Sequence, residues 1–336
     1  MKLAVLVITW LACMLMPAEM IKLNIGSKKT YPIVTGAEVG SMYIADHRYI
    51  ANYHTANASR QDITRAVIVV HGKHRDAWNY YRAVQSAVKV SAVNASNIFI
   101  IAPLFLSTWD LDLAKPTSLI WKDNSWMDGG DAINYTISSF SVLDYLVSHF
   151  SDKNRFPNLD SVVITGHSGG AQLVQRYSLV GNDSTDGINL RYVIANPSSF
   201  VYFNEYRPRN VDPIRCPDWN TWKYGIVKPP RYVLESQRVK GLTDLGSALE
   251  TFAARDIVYM NGQYDNFTSG NALDTGCEAE AQGVSHIDRG LAYWSYITSI
   301  LPLSNFNQDI EIVPRMNHNA TGMFCSTAGL YAILES

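Results

Sequence analysis

Three residues far apart in the chain have the types that acyl-transfer chemistry needs: Ser168, Asp265 and His318. A serine hydroxyl becomes a nucleophile beside a base that takes its proton. A histidine base in turn needs a carboxylate to hold its tautomer and stabilise its charged form. Ser168 lies in Gly166-His167-Ser168-Gly169-Gly170, after the run Ser161-Val162-Val163-Ile164-Thr165 and before a helical pattern. Strand, sharp turn and helix in that order raise the hydroxyl at the carboxyl edge of a sheet, with glycines where strand and helix pass closely. The first N–H groups of the helix favour developing negative charge there. Asp265 follows an apolar run closed by Gly262, and His318 follows the run 309–314. Functional groups of open parallel sheets gather beyond such strand ends.

The other histidines and acids have poorer places. His47 and His54 precede the first continuous apolar run, His149 ends a helical pattern, His286 begins one, and His167 is the variable position of the elbow. Asp160 and Asp256 precede strands, at the opposite sheet edge. The oxyanion formed on attack needs preorganised donors. The Gly169 N–H is one, and the turn His71-Gly72-Lys73 supplies the other, with Gly72 allowing the tight turn and the Lys73 N–H donating. Arg75 and Asp76 read as a structural ion pair.

Elements able to position these groups recur along the chain. Near-continuous apolar runs at 63–72, 97–103, 190–197, 256–262 and 309–314 predict strands buried on both faces, as in a parallel sheet. Helical patterns over 77–90, 138–150, 286–301 and 322–334 alternate with them, and residues 31–53 hold shorter β-like runs. The order predicts a doubly wound α/β sheet with right-handed crossovers. Residues 104–134 read as a long loop, and 198–249 as a lid-like insertion after the strand that follows the nucleophile helix. Trp121, Trp126, Tyr202, Tyr206, Trp219 and Trp222 lie in these irregular stretches, where they either shape a pocket or pack the insertion onto the body.

The chain has 336 residues, 47% of them apolar and 17% charged, with a formal net charge of −2. That is a globular composition, and without a basic run it excludes nucleic acid as a partner. Lys2, an apolar stretch over 3–16 and Pro17-Ala18 read as a secretory signal peptide spanning 1–18, which leaves 19–336 as one domain. About fourteen apolar residues fall short of the roughly twenty a membrane span needs. Sequons at Asn57, Asn94, Asn134 and Asn182 mark glycosylation candidates; those at Asn266 and Asn319 adjoin the site residues. An oxidising compartment allows one disulfide among Cys216, Cys277 and Cys325, none of which has metal-ligand spacing. Cys216 and Cys277 are in loop-like sequence, whereas Cys325 is in an apolar helical stretch, so the expected pair is Cys216 with Cys277.

The order Ser168, Asp265, His318, each after its strand, is that of the α/β-hydrolase fold, which the chain resembles over essentially all of residues 19–336. More narrowly it resembles a little-characterised, largely fungal group of secreted hydrolase-like proteins. The likeness is carried by His71-Gly72-Lys73-His74-Arg75-Asp76-Ala77, the elbow, Ala195-Asn196-Pro197-Ser198-Ser199 and residues 313–324. The likeness does not itself name a substrate; together with the Ser168, Asp265 and His318 constellation the expectation is a secreted serine hydrolase acting on a small or polymeric carboxylic ester through an acyl-enzyme, and no metal or organic cofactor is implied. A peptidase or lipase, or a non-catalytic secreted binding protein on the same fold, are the alternatives.

Overall fold

The computed structural model describes residues 30–335 apart from 46, 134, 183–186, 237–244 and 271; the signal-peptide reading and Asn134 fall outside the described residues. Two antiparallel strands, β1 (Ala37–Ala45) and β2 (Arg48–Thr55), lead into β3 (Arg65–Val70) and helix α1 (Ala77–Val90). Strand β4 (Ile98–Leu104) follows, then a long connection holding the two-residue strands β5 (Leu106–Ser107) and β6 (Ile120–Trp121). Helix α2 (Ser139–Ser151) precedes β7 (Ser161–His167), α3 (Gly169–Val180) and β8 (Asn189–Ala195). After α4 (Arg231–Glu235) and α5 (Leu245–Ala253) come β9 (Asp256–Gly262), α6 (Cys277–Glu280), α7 (His286–Ile300) and β10 (Gln308–Val313). The chain closes with α8 (Ala320–Cys325), α9 (Thr327–Leu330) and a wide turn over Tyr331–Glu335.

The sheet order is β1-β2-β4-β3-β7-β8-β9-β10. The six strands from β4 to β10 are mutually parallel, and β2 pairs antiparallel with both β1 and β4. Strand β3 shows why these runs are apolar throughout. Ala66, Ile68 and Val70 enter one core with residues of α2, α3 and α7, while Val67 and Val69 enter the other with residues of α1 and α8. A strand covered by helices on both faces has no solvated side on which to alternate.

All twelve residues of α3 are buried, including Gln172, Gln175 and Arg176. The segment after β8 covers that helix and takes up its polar groups. Arg176 Nη2 donates to Ser199 Oγ at 2.9 Å and to the Lys223 carbonyl at 3.0 Å. Gln172 Oε1 accepts from Ser199 at 2.9 Å, and Gln175 Oε1 accepts the Val201 N–H at 3.2 Å. Trp222 Nε1 donates to the Asp128 carbonyl at 2.6 Å. Of the aromatics in the irregular stretches, Trp121, Trp126 and Tyr202 are fully buried and pack the body, Trp219 lies under the Arg207 guanidinium, and Tyr206 is exposed. Cys216 and Cys277 form a disulfide with Cα atoms 5.9 Å apart, tying this segment to α6, and Cys325 is a free thiol. The expected single terminal helix over 322–334 divides into α8, α9 and the last turn, because Ser326 Oγ accepts the Gly329 N–H at 3.1 Å and starts a new helical turn.

Candidate active site

The turn after β7 bends at Ser168, whose φ of 59° and ψ of −121° place a non-glycine residue in a strained conformation. Such a residue costs about 1–3 kcal/mol and persists only where its surroundings hold it. Here the Ser168 N–H donates to the Ala195 carbonyl at 3.0 Å, and the Ser168 carbonyl accepts the first helical bond, from Gln172, at 3.1 Å. Close approach explains the neighbouring glycines. A Cβ on Gly166 would lie 2.4 Å from the Gly170 carbonyl carbon, and one on Gly170 would lie 2.2 Å from the Val70 oxygen.

Strand β9 ends at Gly262, and the turn beyond it presents Asp265, 1% exposed. His318 follows β10 and its Nδ1 lies 2.7 Å from Asp265 Oδ2. His318 Nε2 is buried and has no hydrogen-bond partner among the described residues. Ser168 and His318 line one cleft of about 340 Å³, with Gly72, Lys73, His74, Tyr80, Ala272 and Asn319 also on its wall. None of residues 198–236 is among its lining residues.

The turn after β3 closes the cleft from the side of Gly169. A Cβ built on Gly169 would stand 3.0 Å from the Lys73 backbone nitrogen, so the two backbones face each other across a narrow gap. Among the described residues no protein acceptor takes the Gly169 or the Lys73 N–H. Gly72 has no room for a side chain, since a Cβ would meet the Tyr80 hydroxyl at 2.4 Å. His71 holds the turn from beneath: its Nδ1 lies 2.9 Å from the Gly72 carbonyl and its Nε2 accepts the Phe105 N–H at 3.0 Å. Complete burial lowers its pKa to about 4, which fits a neutral ring that donates at one nitrogen and accepts at the other. Arg75 is not paired with Asp76. At φ 55° its side chain turns to Asp110, with Nε 2.5 Å from Oδ2, and it donates to the Lys73 carbonyl as well. The sequence offered Asp76 as the neighbour; the loop after β4 delivers a better-placed carboxylate, itself held by the Ser107 N–H at 2.9 Å.

His286, set aside in the sequence as the start of a helix, is part of this constellation. Its Nδ1 lies 3.1 Å from Asp265 Oδ1, and its ring stacks on that of His318 with centroids 4.3 Å apart. His167 flanks the other side at 4.4 Å. Burial alone raises the Asp265 pKa, but the two histidine N–H donors outweigh it and hold the carboxyl well below its usual range. Burial lowers the pKa of both His286 and His167. The only sequence signal for His286 was a histidine beside a Ser285 cap, which many helix starts share.

Two side-chain groups among the described residues have metal-ligand proximity, Cys216 with Cys277 and Glu278, and Asp265 with His286 and His318. In the first the sulfurs are bonded to each other, and in the second each Nδ1 is already hydrogen-bonded to the carboxylate. The two sulfurs and the two Nδ1 atoms are thus committed within the protein. Of the glycosylation candidates, Asn57, Asn94 and Asn182 are exposed, as is Asn266, while the Asn319 side chain caps α8 by accepting the Gly322 N–H at 2.8 Å.

By sequence, no protein-family model and no curated protein matches the chain. Solved structures do resemble it. Poly(aspartic acid) hydrolase-1 from Sphingomonas sp. KT-1 aligns with a TM-score of 0.62 at 17% identity, covering 89% of this chain and 98% of that one. A poly(3-hydroxybutyrate) depolymerase from Bordetella parapertussis aligns at 0.58 and 15% identity, covering 85% of this chain and 86% of that one. Sheet order, crossovers and these likenesses together establish the α/β-hydrolase fold for this chain.

Proposed function

We propose that the chain is a serine hydrolase that cleaves carboxylic esters through an acyl-enzyme. Ser168 is the nucleophile, His318 the base and Asp265 the carboxylate that orients it, with the Gly169 and Lys73 N–H groups holding the oxyanion. The observation that carries this reading is the His318–Asp265 contact of 2.7 Å, which leaves an unpartnered Nε2 on a ring that shares its cleft with Ser168. With Nδ1–H donating to Asp265, Nε2 is the basic nitrogen, the tautomer needed to take the serine proton. Attack places the negative oxygen beside the two free N–H groups, each worth on the order of 3 kcal/mol to the barrier. His318 then returns the proton to the leaving alkoxide, and water attacks the acyl-enzyme by the same route in reverse.

Secretion is proposed on the N-terminal leader together with the Cys216–Cys277 disulfide. Among the described residues no helix is long and apolar enough to cross a membrane. The substrate is an ester, small or polymeric, reaching an open cleft lined by polar Lys73, His74, Asn79 and Asn319 together with Tyr80, Ala272 and Ala320. Labelling with a fluorophosphonate probe tests the reading: wild type labels at one site and Ser168→Ala does not. Absence of labelling in the wild type, or equal labelling of both, leaves a non-catalytic binding protein instead.

A further inference from the structure

Asp265 has two carboxylate oxygens and a histidine on each. His318 takes Oδ2 at 2.7 Å and His286 takes Oδ1 at 3.1 Å. A carboxylate held at one oxygen can still rotate about its Cβ–Cγ bond; held at both, it cannot. His286 is suited to that task because its second nitrogen is also tied. Nε2 lies 3.1 Å from Ser198 Oγ, and that hydroxyl receives the Asp274 N–H at 2.9 Å. The same turn secures the ring on the other side of His318: Asn196 Oδ1 accepts the Gly262 N–H at 2.8 Å, which leaves its Nδ2 to donate to His167 Nε2 at 3.2 Å. The turn Asn196-Pro197-Ser198 thus anchors both rings between which His318 stands, with centroid separations of 4.4 and 4.3 Å.

We propose that His286 is a positioning residue for the ester cleavage set out above, a neutral Nδ1–H donor that fixes the plane of Asp265 and draws charge from it. The inference rests on the reading of Ser168, His318 and Asp265 as the reacting set. Two effects follow. The carboxylate stays aligned with His318 while that ring gains and loses a proton. The charge left on Oδ2 is smaller than on an otherwise unbound carboxylate, so it attracts a proton on the neighbouring ring less strongly. Burial keeps His286 itself neutral against the pull of Asp265. The other ionisable groups facing the set are His167 from the elbow and Arg289 from α7, whose guanidinium is bound to the carbonyls of Gly283, Ser198 and Asp274. They are common to wild type and variants, so a difference between these reports on His286.

The test compares His286→Phe, His286→Asn and His286→Gln on p-nitrophenyl acetate across pH 5–9. Phenylalanine keeps the ring and deletes the donor. The Asn amide reaches the place of Nδ1 and keeps it; the Gln amide reaches toward Ser198 and abandons Asp265. His286→Phe is expected to lose about 10- to 100-fold in kcat/KM, and the acid limb of its profile moves up by about half to one pH unit. His286→Asn restores the limb and His286→Gln does not. A merely structural role leaves the limb of every folded variant at the wild-type position, and that result overturns the proposal. If His286→Phe fails to fold, coincident profiles for His286→Asn and His286→Gln overturn it equally. Fluorophosphonate labelling of the wild type is run alongside. If the wild type does not label, the underlying reading fails; if it labels and the limbs coincide, only the role of His286 fails.

Discussion

Asp265→Asn changes the site with almost no change in volume, and the consequence can be worked from two distances. The carboxylate accepts N–H bonds from His318 at 2.7 Å and from His286 at 3.1 Å. An amide offers one oxygen and one NH₂, so it can satisfy only one of the two donors as they stand. Should the oxygen face His286, the NH₂ meets His318 Nδ1, which must accept and send its proton to Nε2. The base then carries a proton where it has to receive one, and a wrong tautomer costs about 10⁴ in kcat. Should the oxygen face His318, the tautomer survives because His286 can reverse its own, donating from Nε2 to Ser198, 3.1 Å away. What is lost is the charge beside the forming imidazolium. A charge-assisted bond exceeds a neutral one by about 1–2 kcal/mol, which is about 5- to 30-fold in rate. The expected loss therefore lies between about 5-fold and 10⁴-fold. An imperfectly matched buried amide costs about 1–3 kcal/mol, so melting falls by less than about 10 °C. Turnover of p-nitrophenyl acetate at pH 7–8, paired with a circular-dichroism melt, reads both quantities. A folded Asp265→Asn protein within threefold of wild-type kcat refutes the reasoning.

The remaining predictions concern the supports of the site. Arg75→Ala removes the guanidinium that bonds the Lys73 carbonyl and pairs with Asp110; the turn loosens and kcat falls about 10- to 100-fold with KM little changed, whereas equal activity separates the oxyanion donors from that turn. Joint replacement of Cys216 and Cys277 by serine opens a loop of 61 residues, which by chain entropy costs about 4 kcal/mol and lowers the melting temperature by roughly 10 °C, measurable by calorimetry; an unchanged melt rejects it. The pH dependence has a definite sign: the Asp265 carboxyl is depressed in the folded state, so its contribution is complete above the unfolded value of about 4 and is lost as pH falls below that. Asp265→Asn should accordingly flatten the acid side of the stability profile, and parallel acid-unfolding curves for variant and wild type would exclude this contribution.

Much of the frame was legible because its signals are local. Helix α1 covers the residues its periodicity marks, Ala77–Val90, and β9 covers the apolar run Asp256–Gly262. The final apolar stretch misled for an equally local reason. Its composition suits one helix, yet Gly329 lies so close that a Cβ would stand 2.2 Å from the Met323 carbonyl, and the chain turns at Ser326 instead. Aromatics at 121, 126 and 202 were legible as large apolar bodies but not as core or pocket, since that depends on what lies opposite.

By itself the sequence determined the order of strands, the elbow at Ser168 and the strand-ended positions of Asp265 and His318, because steric limits on turns and the periods of helix and strand act between near neighbours. Tertiary structure alone decided the partners. Arg75 passes over adjacent Asp76 for Asp110, 35 residues away, and Asp265 gains a second histidine from the start of α7. Charge and hydrogen-bonding capacity belong to each residue type. Which donor meets which acceptor at 3 Å is settled only when separate loops converge at one sheet edge and exclude the water that would otherwise take either side.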